Sequence, residues 1–502
     1  MVTRFIAFAM LVAFTGFASA QPSVSFSASP NEKASHKVVI FQDDIVPDEH
    51  KALFTAFETA KALNNGSTSH HYATFGAKHI IALHTDTPLD NPVALQNLGG
   101  QIAAALPTDI TETYSVDLSG LKSNIQHAAA FIAEGAMLRG YQFQTYKTTK
   151  KADFSIEFTT PSAKDDATYF ESQRLPVVEG VYMARNFASE PGNTIYPASF
   201  IDRAKAALRG LDDVKIRVLD RKDLEKNNMG ALLGVGKGSI HDPAMLIVEY
   251  SGGKKGEAPI VLAGKGITFD TGGTSLKPNN NMWQMKSDLS GAAAVAGTLH
   301  AIAKQGLAIN VVGVMPLAEN MPAEDAIRPG DVLTTMQGTT IEIISTDAEG
   351  RLILADAVRY AQDKYKPSML LNIATLTGSA ARALSDEYAA LITRDWDLSV
   401  AMKAVGEQSG EHVWPLPLHP NHFKQLKSDI ADIKNSGVGN PGASIGAAVI
   451  GTFIDEDLPW VHLDIAGVDY LTEATDVAPK GFHGWGVRFM TQLIANEAKK
   501  GN

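Results

Sequence analysis

Apolar and polar positions follow two periods along this chain, and the two periods take turns. Short apolar runs at 38–41, 79–83 and 115–118 predict strands, and three- to four-residue apolar spacing at 51–63, 93–106 and 124–138 predicts helices between and after them. This alternation predicts an N-terminal α/β domain over 37–160. A polar break follows at 161–166, then a linker helix near 169–187, so 161–190 is read as a linker. From 191 onward, apolar runs recur at 215–219, 244–249, 259–262, 309–315, 340–344, 369–373 and 460–464, with helical spacing between most of them. Strands apolar on both faces imply a mostly parallel or mixed sheet covered by helices. The fold class expected is therefore α/β: a smaller N-terminal domain and a larger domain over 191–502. Ligands of such sheets bind outside the carboxyl ends of the strands, so polar residues there carry the functional information.

Composition narrows the chemistry. The 502 residues include 55 Asp plus Glu against 44 Lys plus Arg, a formal charge of −11, which argues against nucleic acid as a partner. There is no cysteine, which excludes disulfides, thiolate metal sites, iron–sulfur clusters and cysteine nucleophiles. Any metal must be held by His, Asp, Glu or a less usual donor. At the N-terminus, Arg4, the apolar stretch 5–17 and Ala18-Ser19-Ala20 follow the pattern of a cleaved export signal over 1–20, ahead of a Ser/Pro-rich spacer at 21–36. The reading is an exported protein, periplasmic or extracellular, with no stable membrane insertion, since the run is shorter than the ~20 residues of a spanning helix.

Candidate chemistry gathers in two clusters. The run ending at 262 leads through a Gly-rich loop with Lys265, Asp270, Gly272 and Gly273 to Lys277, then to Asp288 at the start of an Ala-rich helix reaching about 305. Taken alone, Asp288 reads as a helix cap and the glycines as a tight turn. A second run, 340–344, enters Ser345-Thr346-Asp347-Ala348-Glu349-Gly350-Arg351 and a helix to about 365. If this stretch stays extended, Asp347, Glu349 and Arg351 project to one side. Two carboxylates so placed are costly to ionise together unless a cation joins them; the alternative is an acidic turn paired with its own arginine. The helix start beside Arg351 offers free amides to a small anion. Four carboxylates near strand ends fit a pair of divalent cations ~3.5–4 Å apart that activate a water. Lys265 could ligate as a neutral amine, and Lys277 would stay charged and face developing negative charge.

The segment Thr346–Leu352 resembles the signature of the leucyl (cytosol) aminopeptidase family of two-metal exopeptidases. Further blocks match in order: Lys265 to Gly273, Ser275 to Pro278, Met285 to Asp288, Glu319 to Pro322, Arg328 to Asp331, Ala374 to Gly378 and His462 to Gly467. The resemblance implies that Lys265, Asp270, Asp288 and Glu349 hold the tighter metal and Asp270, Asp347 and Glu349 the more exchangeable one. It implies Lys277 and Arg351 as the catalytic pair, Arg351 carrying bicarbonate as general base. Met285, Thr375, Leu376 and Gly378 would bind the substrate's first side chain. It further implies a homohexamer and attack by a bridging hydroxide that releases leucine and other apolar residues from peptide N-termini; oxygen-rich ligation with one lysine nitrogen favours Zn²⁺ at the tight site and Zn²⁺ or Mn²⁺ at the other. Two other classes use similar features: a two-metal phosphoesterase, and a DNA-binding regulator of the kind some relatives are. His300 and His462 are read as packed, structural histidines.

Overall fold

The computed structural model describes residues 21–500 except 32, 43–50, 64–69, 76–77, 86, 108–110, 150–153 and 438–441. Its first sheet is assembled from β1 (Ser23–Ser27), β2 (His36–Gln42), β3 (His70–Phe75), β4 (Lys78–Thr85), β5 (Thr113–Asp117) and β6 (Ser155–Thr159). The order is β1-β6-β5-β2-β4-β3, and only β3 runs antiparallel to its neighbour. The stretch expected to be a featureless spacer thus contains an edge strand. Edge pairing is made by backbone groups, so β1 joins β6 in register without the buried apolar side chains that betray an inner strand. Residues 1–20, on which the export-signal reading rests, lie outside the described residues.

The second sheet holds β7 (Val214–Leu219), β8 (Ala244–Ser251), β9 (Ile260–Gly264), β10 (Gly266–Asp270) and β11 (Asn310–Asn320). After a small sheet of β12 (Val332–Thr334) and β13 (Thr340–Glu342), it continues with β14 (Met369–Ala374), β15 (Ala389–Ile392) and β16 (Val413–Pro415). β17 (Ile433–Lys434) completes the small sheet, and β18 (Trp460–Asp464) inserts between β14 and β15. The large sheet runs β16-β15-β18-β14-β9-β11-β8-β7, with β10 also paired to β11. The run at 340–344, expected among the strands of the large sheet, is instead a short strand of the small one, paired antiparallel to β12.

Strands β18, β14, β9 and β11 are mutually parallel, and β10 runs parallel to β11. Their carboxyl ends therefore share one edge of the sheet, where Lys265, Asp270, Asn320, Thr375 and Asp464 fall together. Period-two alternation divides the core. Ile260 and Leu262 pack with the helices Leu175–Ser189, Ser290–Gln305 and Val487–Lys500; Val261 and Ala263 pack with Gly350–Tyr365 and Gly442–Gly451. On β14 and β18 a polar pair interrupts that pattern. The Asn372 amide donates to Nδ1 of His462 (2.7 Å) and accepts from Trp460 Nε1 (2.7 Å), so His462 is a structural residue of the sheet.

A buried polar relay joins the two halves of the molecule. Glu134 has no solvent exposure. Its carboxylate accepts from Nε and Nη2 of Arg174 (both 2.7 Å) and from Gln96 Nε2 (2.7 Å), while Gln96 Oε1 accepts from Arg488 Nη2 (2.6 Å). Charges this deep persist because each finds a bidentate or amide partner. Among the described residues, no helix is long and apolar enough to cross a membrane.

Candidate metal centre

A cavity of about 710 Å³ opens at the carboxyl ends of the parallel strands, and Lys265, Asp270, Lys277, Asp288, Asp347 and Glu349 all line it. A second cavity of similar size, about 720 Å³, lies beside Gln96, Arg174 and Arg488 but contains no carboxylate cluster. Chemistry rather than volume distinguishes the first.

Strand ends deliver two of the charged groups, and turns or helix starts deliver the rest. Lys265 follows β9 and is 2% exposed, Asp270 closes β10 at 2%, and Glu349 precedes the helix Gly350–Tyr365 at 2%. Asp288 does not cap the Ala-rich helix, whose N-cap is Leu289. It turns instead into the cavity, accepting from the Thr375 hydroxyl (2.6 Å) and from Lys265 Nζ (2.8 Å). Nor does the 345–351 stretch stay extended. A turn closed by the Ala348 amide on the Ser345 carbonyl, followed by helix, brings Asp347 and Glu349 to the cavity. Arg351, on the first helical turn, is buried behind it and donates from Nη1 to the Asn435 carbonyl (3.0 Å).

Ligand atoms of Asp270, Asp347 and Glu349 lie within 4.8 Å of one another. Two ammonium groups are threaded between the acids. Lys265 Nζ sits 2.8 Å from Asp288 and 2.7 Å from Glu349; Lys277 Nζ sits 2.7 Å from Asp270 and also contacts Asp347. Burial pulls both lysines down, but the surrounding carboxylates outweigh it and hold both above the ordinary range. Burial pushes Asp270 up to about 6 and raises Asp288 and Asp347 as well. Glu349, although equally desolvated, is held below its usual value by Lys265 and Lys277.

The donor set fits two divalent cations. Four acids with two lysines leave an excess of negative charge at a buried site, which is costly unless further cations are bound. Asp288 Oδ2 and Glu349 Oε2 are buried without a hydrogen-bond partner, as ligand oxygens reserved for an ion would be, and Arg351 Nε is buried without an acceptor. Supporting groups hold the acids in place. Asn320 Nδ2 donates to Asp270 Oδ1 (2.7 Å) and to the Thr346 carbonyl (3.0 Å), and the Thr346 hydroxyl donates to the Gly272 carbonyl (2.6 Å). Gly272 has φ +87°, a conformation that favours glycine.

Met285, Thr375, Leu376 and Gly378 line the same cavity. Sequence reasoning gave no role to Asn320, Asn435, Asp464 or Asp469. Asp464 accepts from the amides of Leu376 and Thr377 (3.1 and 3.3 Å) and from the Thr377 hydroxyl (2.6 Å), fixing the loop that follows β14. For Asn320 and Asp464, their position at the ends of β11 and β18 was the available signal. His300 is buried, with Nε2 3.1 Å from Glu179, away from the cavity.

Residues 182–491 match the catalytic domain of the cytosol aminopeptidase family. A probable cytosol aminopeptidase of Rhodopseudomonas palustris (strain TIE-1) is 43% identical over 421 residues, covering 82% of this chain and 83% of that protein. Another, of Rickettsia bellii (strain RML369-C), is 42% identical over 411 residues, covering 80% and 82%. Among solved structures, a tomato leucine aminopeptidase mutant superposes with TM-score 0.82 at 26% identity, covering 95% of this chain and 97% of that one. The bottromycin maturation enzyme BotP in complex with Mn superposes with TM-score 0.79 at 27% identity, covering 96% and 100%. These relatives overturn the expectation of an exported protein: they are named cytosol aminopeptidases, and periplasmic or extracellular residence is withdrawn. The chain belongs to the cytosol aminopeptidase family and is a metallo-exopeptidase of the leucyl aminopeptidase type.

Proposed function

We propose that this aminopeptidase releases N-terminal residues from peptides, leucine and other apolar residues among them, at the cavity on the strand ends of the large sheet. In this reading a catalytic unit over 191–502 is joined through 161–190 to an N-terminal unit over 37–160. Lys265, as a neutral amine after giving up its proton to make way for the ion, would hold the tighter of two cations with Asp270, Asp288 and Glu349, and Asp270, Asp347 and Glu349 would hold the other. Bound there, the cations would supply Lewis acidity and a water nucleophilic at neutral pH. Oxygen-rich ligation suits Mn²⁺, the metal in the BotP complex, and Zn²⁺ tolerates the lysine nitrogen.

The protein's own groups do the remaining work. Asp288 and the cation it would hold meet the substrate's free terminal amine, which restricts cleavage to chain ends. Lys277, partly exposed on the cavity, donates to the carbonyl oxygen as negative charge develops there. Met285, Thr375, Leu376 and Gly378 receive the first side chain. Arg351, with Nε unpaired, would hold a bicarbonate, which would supply a general base for the leaving amine. Six copies assemble into the working particle.

The observation that carries this reading is the pair of lysine ammonium groups bridging four acids, two of which keep buried, unpaired oxygens. The test is hydrolysis of leucyl anilide by metal-stripped protein, with Mn²⁺ and Zn²⁺ restored separately. Activity should return with at least one metal, and bicarbonate should accelerate the native enzyme but not Arg351→Ala. Equal turnover before and after metal removal would sink the reading. Sedimentation should report six chains.

A further inference from the structure

Within the cavity, one acid is left over once the metal-facing set is assigned. Asp469 follows β18 on a turn closed by its own amide on the Ile465 carbonyl (3.0 Å), which puts it three residues after Ala466; both line the cavity with Met285, Thr375 and Gly378. It is 4% exposed. Oδ2 accepts from the Ser287 hydroxyl (2.6 Å). The nearby Ser290 hydroxyl spends its proton on the Ser287 carbonyl (2.7 Å), and Oδ1 is buried with no partner. Among the described residues, no lysine or arginine forms an ion pair with Asp469.

A carboxylate in this condition is costly, and burial pushes it up to about 6. The lysines of the cavity are committed to the other acids, and Arg382, the remaining cation lining it, is exposed to solvent. Long basic side chains match the need: an apolar stem lies along Met285 and Ala466, and a cationic head meets the acid.

We propose that Asp469 is a specificity residue that selects peptides whose first residue is lysine or arginine, by accepting from the side-chain cation on Oδ1. This rests on the aminopeptidase reading above, and it widens the pocket's preference beyond apolar residues. An apolar side chain of equal length leaves Oδ1 unpaired, and a site built to hydrogen-bond a group discriminates strongly against analogues lacking it.

The decisive comparison is kcat/KM for lysyl and norleucyl anilides, whose stems are alike, with the Mn²⁺-loaded native enzyme. The lysyl substrate should be favoured by about tenfold or more, as expected for a charge-assisted hydrogen bond. Asp469→Asn and Asp469→Leu should collapse that ratio toward one or invert it. A native ratio at or below one overturns the proposal, and the native measurement needs no variant to fold. So does a ratio unchanged in both variants: a purely structural Asp469, acting through Ser287 on neighbouring Asp288, would lower both substrates by one factor. If leucyl anilide is cleaved yet the ratio is flat, this inference alone fails; if no aminoacyl anilide is cleaved, the reading it rests on fails with it.

Discussion

Gly350 approaches Lys265 so closely that a β-carbon on it would lie 2.6 Å from the lysine Cε and 2.9 Å from Nζ. The absence of a side chain at the start of one helix therefore sets the position of an amine contributed by a strand 85 residues earlier in the numbering. Gly350→Ala should push Lys265 out of line with Asp288 and Glu349, at an overpacking cost of about 1–3 kcal/mol. We expect a drop in leucyl anilide turnover of about tenfold or more, with a higher Mn²⁺ concentration for half-activation. A Mn²⁺ titration of activity, alongside circular dichroism to verify the fold, checks this; unchanged half-activation would show that the contact is slack.

Asn320 should govern metal affinity without touching substrate. Its amide orients Asp270 and ties it to the Thr346 carbonyl. Loss of such an outer partner weakens a metal site by roughly 10- to 100-fold. Asn320→Ala is therefore expected to lose activity at limiting Mn²⁺ and regain most of it at saturating Mn²⁺. A kcat deficit that persists at saturation would contradict this role.

Ion removal should also be visible in stability. The acids are buried and their charge is only partly matched by Lys265 and Lys277. Binding to the folded form alone stabilises by about 4 kcal/mol at a thousandfold excess over Kd. Chelated protein should melt at a lower temperature than protein with Mn²⁺ or Zn²⁺ restored. A Tm indifferent to both metals would remove the centre described above.

His483 provides a pH test away from the metal centre. Burial, with Arg185 and Arg488 nearby, pulls it down to about 3 from the ordinary 6.5. The folded form keeps it neutral while the unfolded chain takes up a proton below 6.5, so its contribution is complete above 6.5 and lost progressively as pH falls toward 3. Between pH 6.5 and 5 that amounts to about 2 kcal/mol. Glu411 beside the same arginines is raised to about 7 by burial and acts in the opposite sense, being stabilising as pH falls below 7. The comparison must therefore be between variants: the fall in Tm from pH 7.5 to 5 should be smaller in His483→Gln than in the native protein. An identical fall in both would refute the assignment.

Much of this was legible in the sequence because the inner strands of the large sheet are apolar on both faces, and 260–264 and 369–374 stand out for that reason. Ordered blocks such as Thr346–Leu352 pointed to the acids that the structure brings together. What escaped reading depended on geometry that side-chain pattern does not encode. β1 pairs through its backbone at a sheet edge, so its Ser-rich sequence looked like a spacer. Asp288 had the position of a helix cap, but the helix begins two residues later and the acid turns to Lys265. Arg351 was placed on the same side as Asp347 and Glu349 on the assumption of an extended chain, and the turn and helix set it behind them. Asn320 and Asp469 look like ordinary polar residues until the strands are laid side by side.

The Gln96–Glu134–Arg174–Arg488 relay has a consequence for biosynthesis. Arg488 lies 392 residues beyond Gln96, so a ribosome adds nearly the whole of the large sheet before that last donor exists. Until then the helices bearing Gln96 and Glu134 have an unsealed flank, and the nascent protein at this stage should be at its most vulnerable to proteases and most in need of a chaperone. Stalled chains that end before Val487 should therefore be cleaved near 96–134 far faster than full-length protein; equal protection of the two would show that the N-terminal sheet matures without its distant arginine.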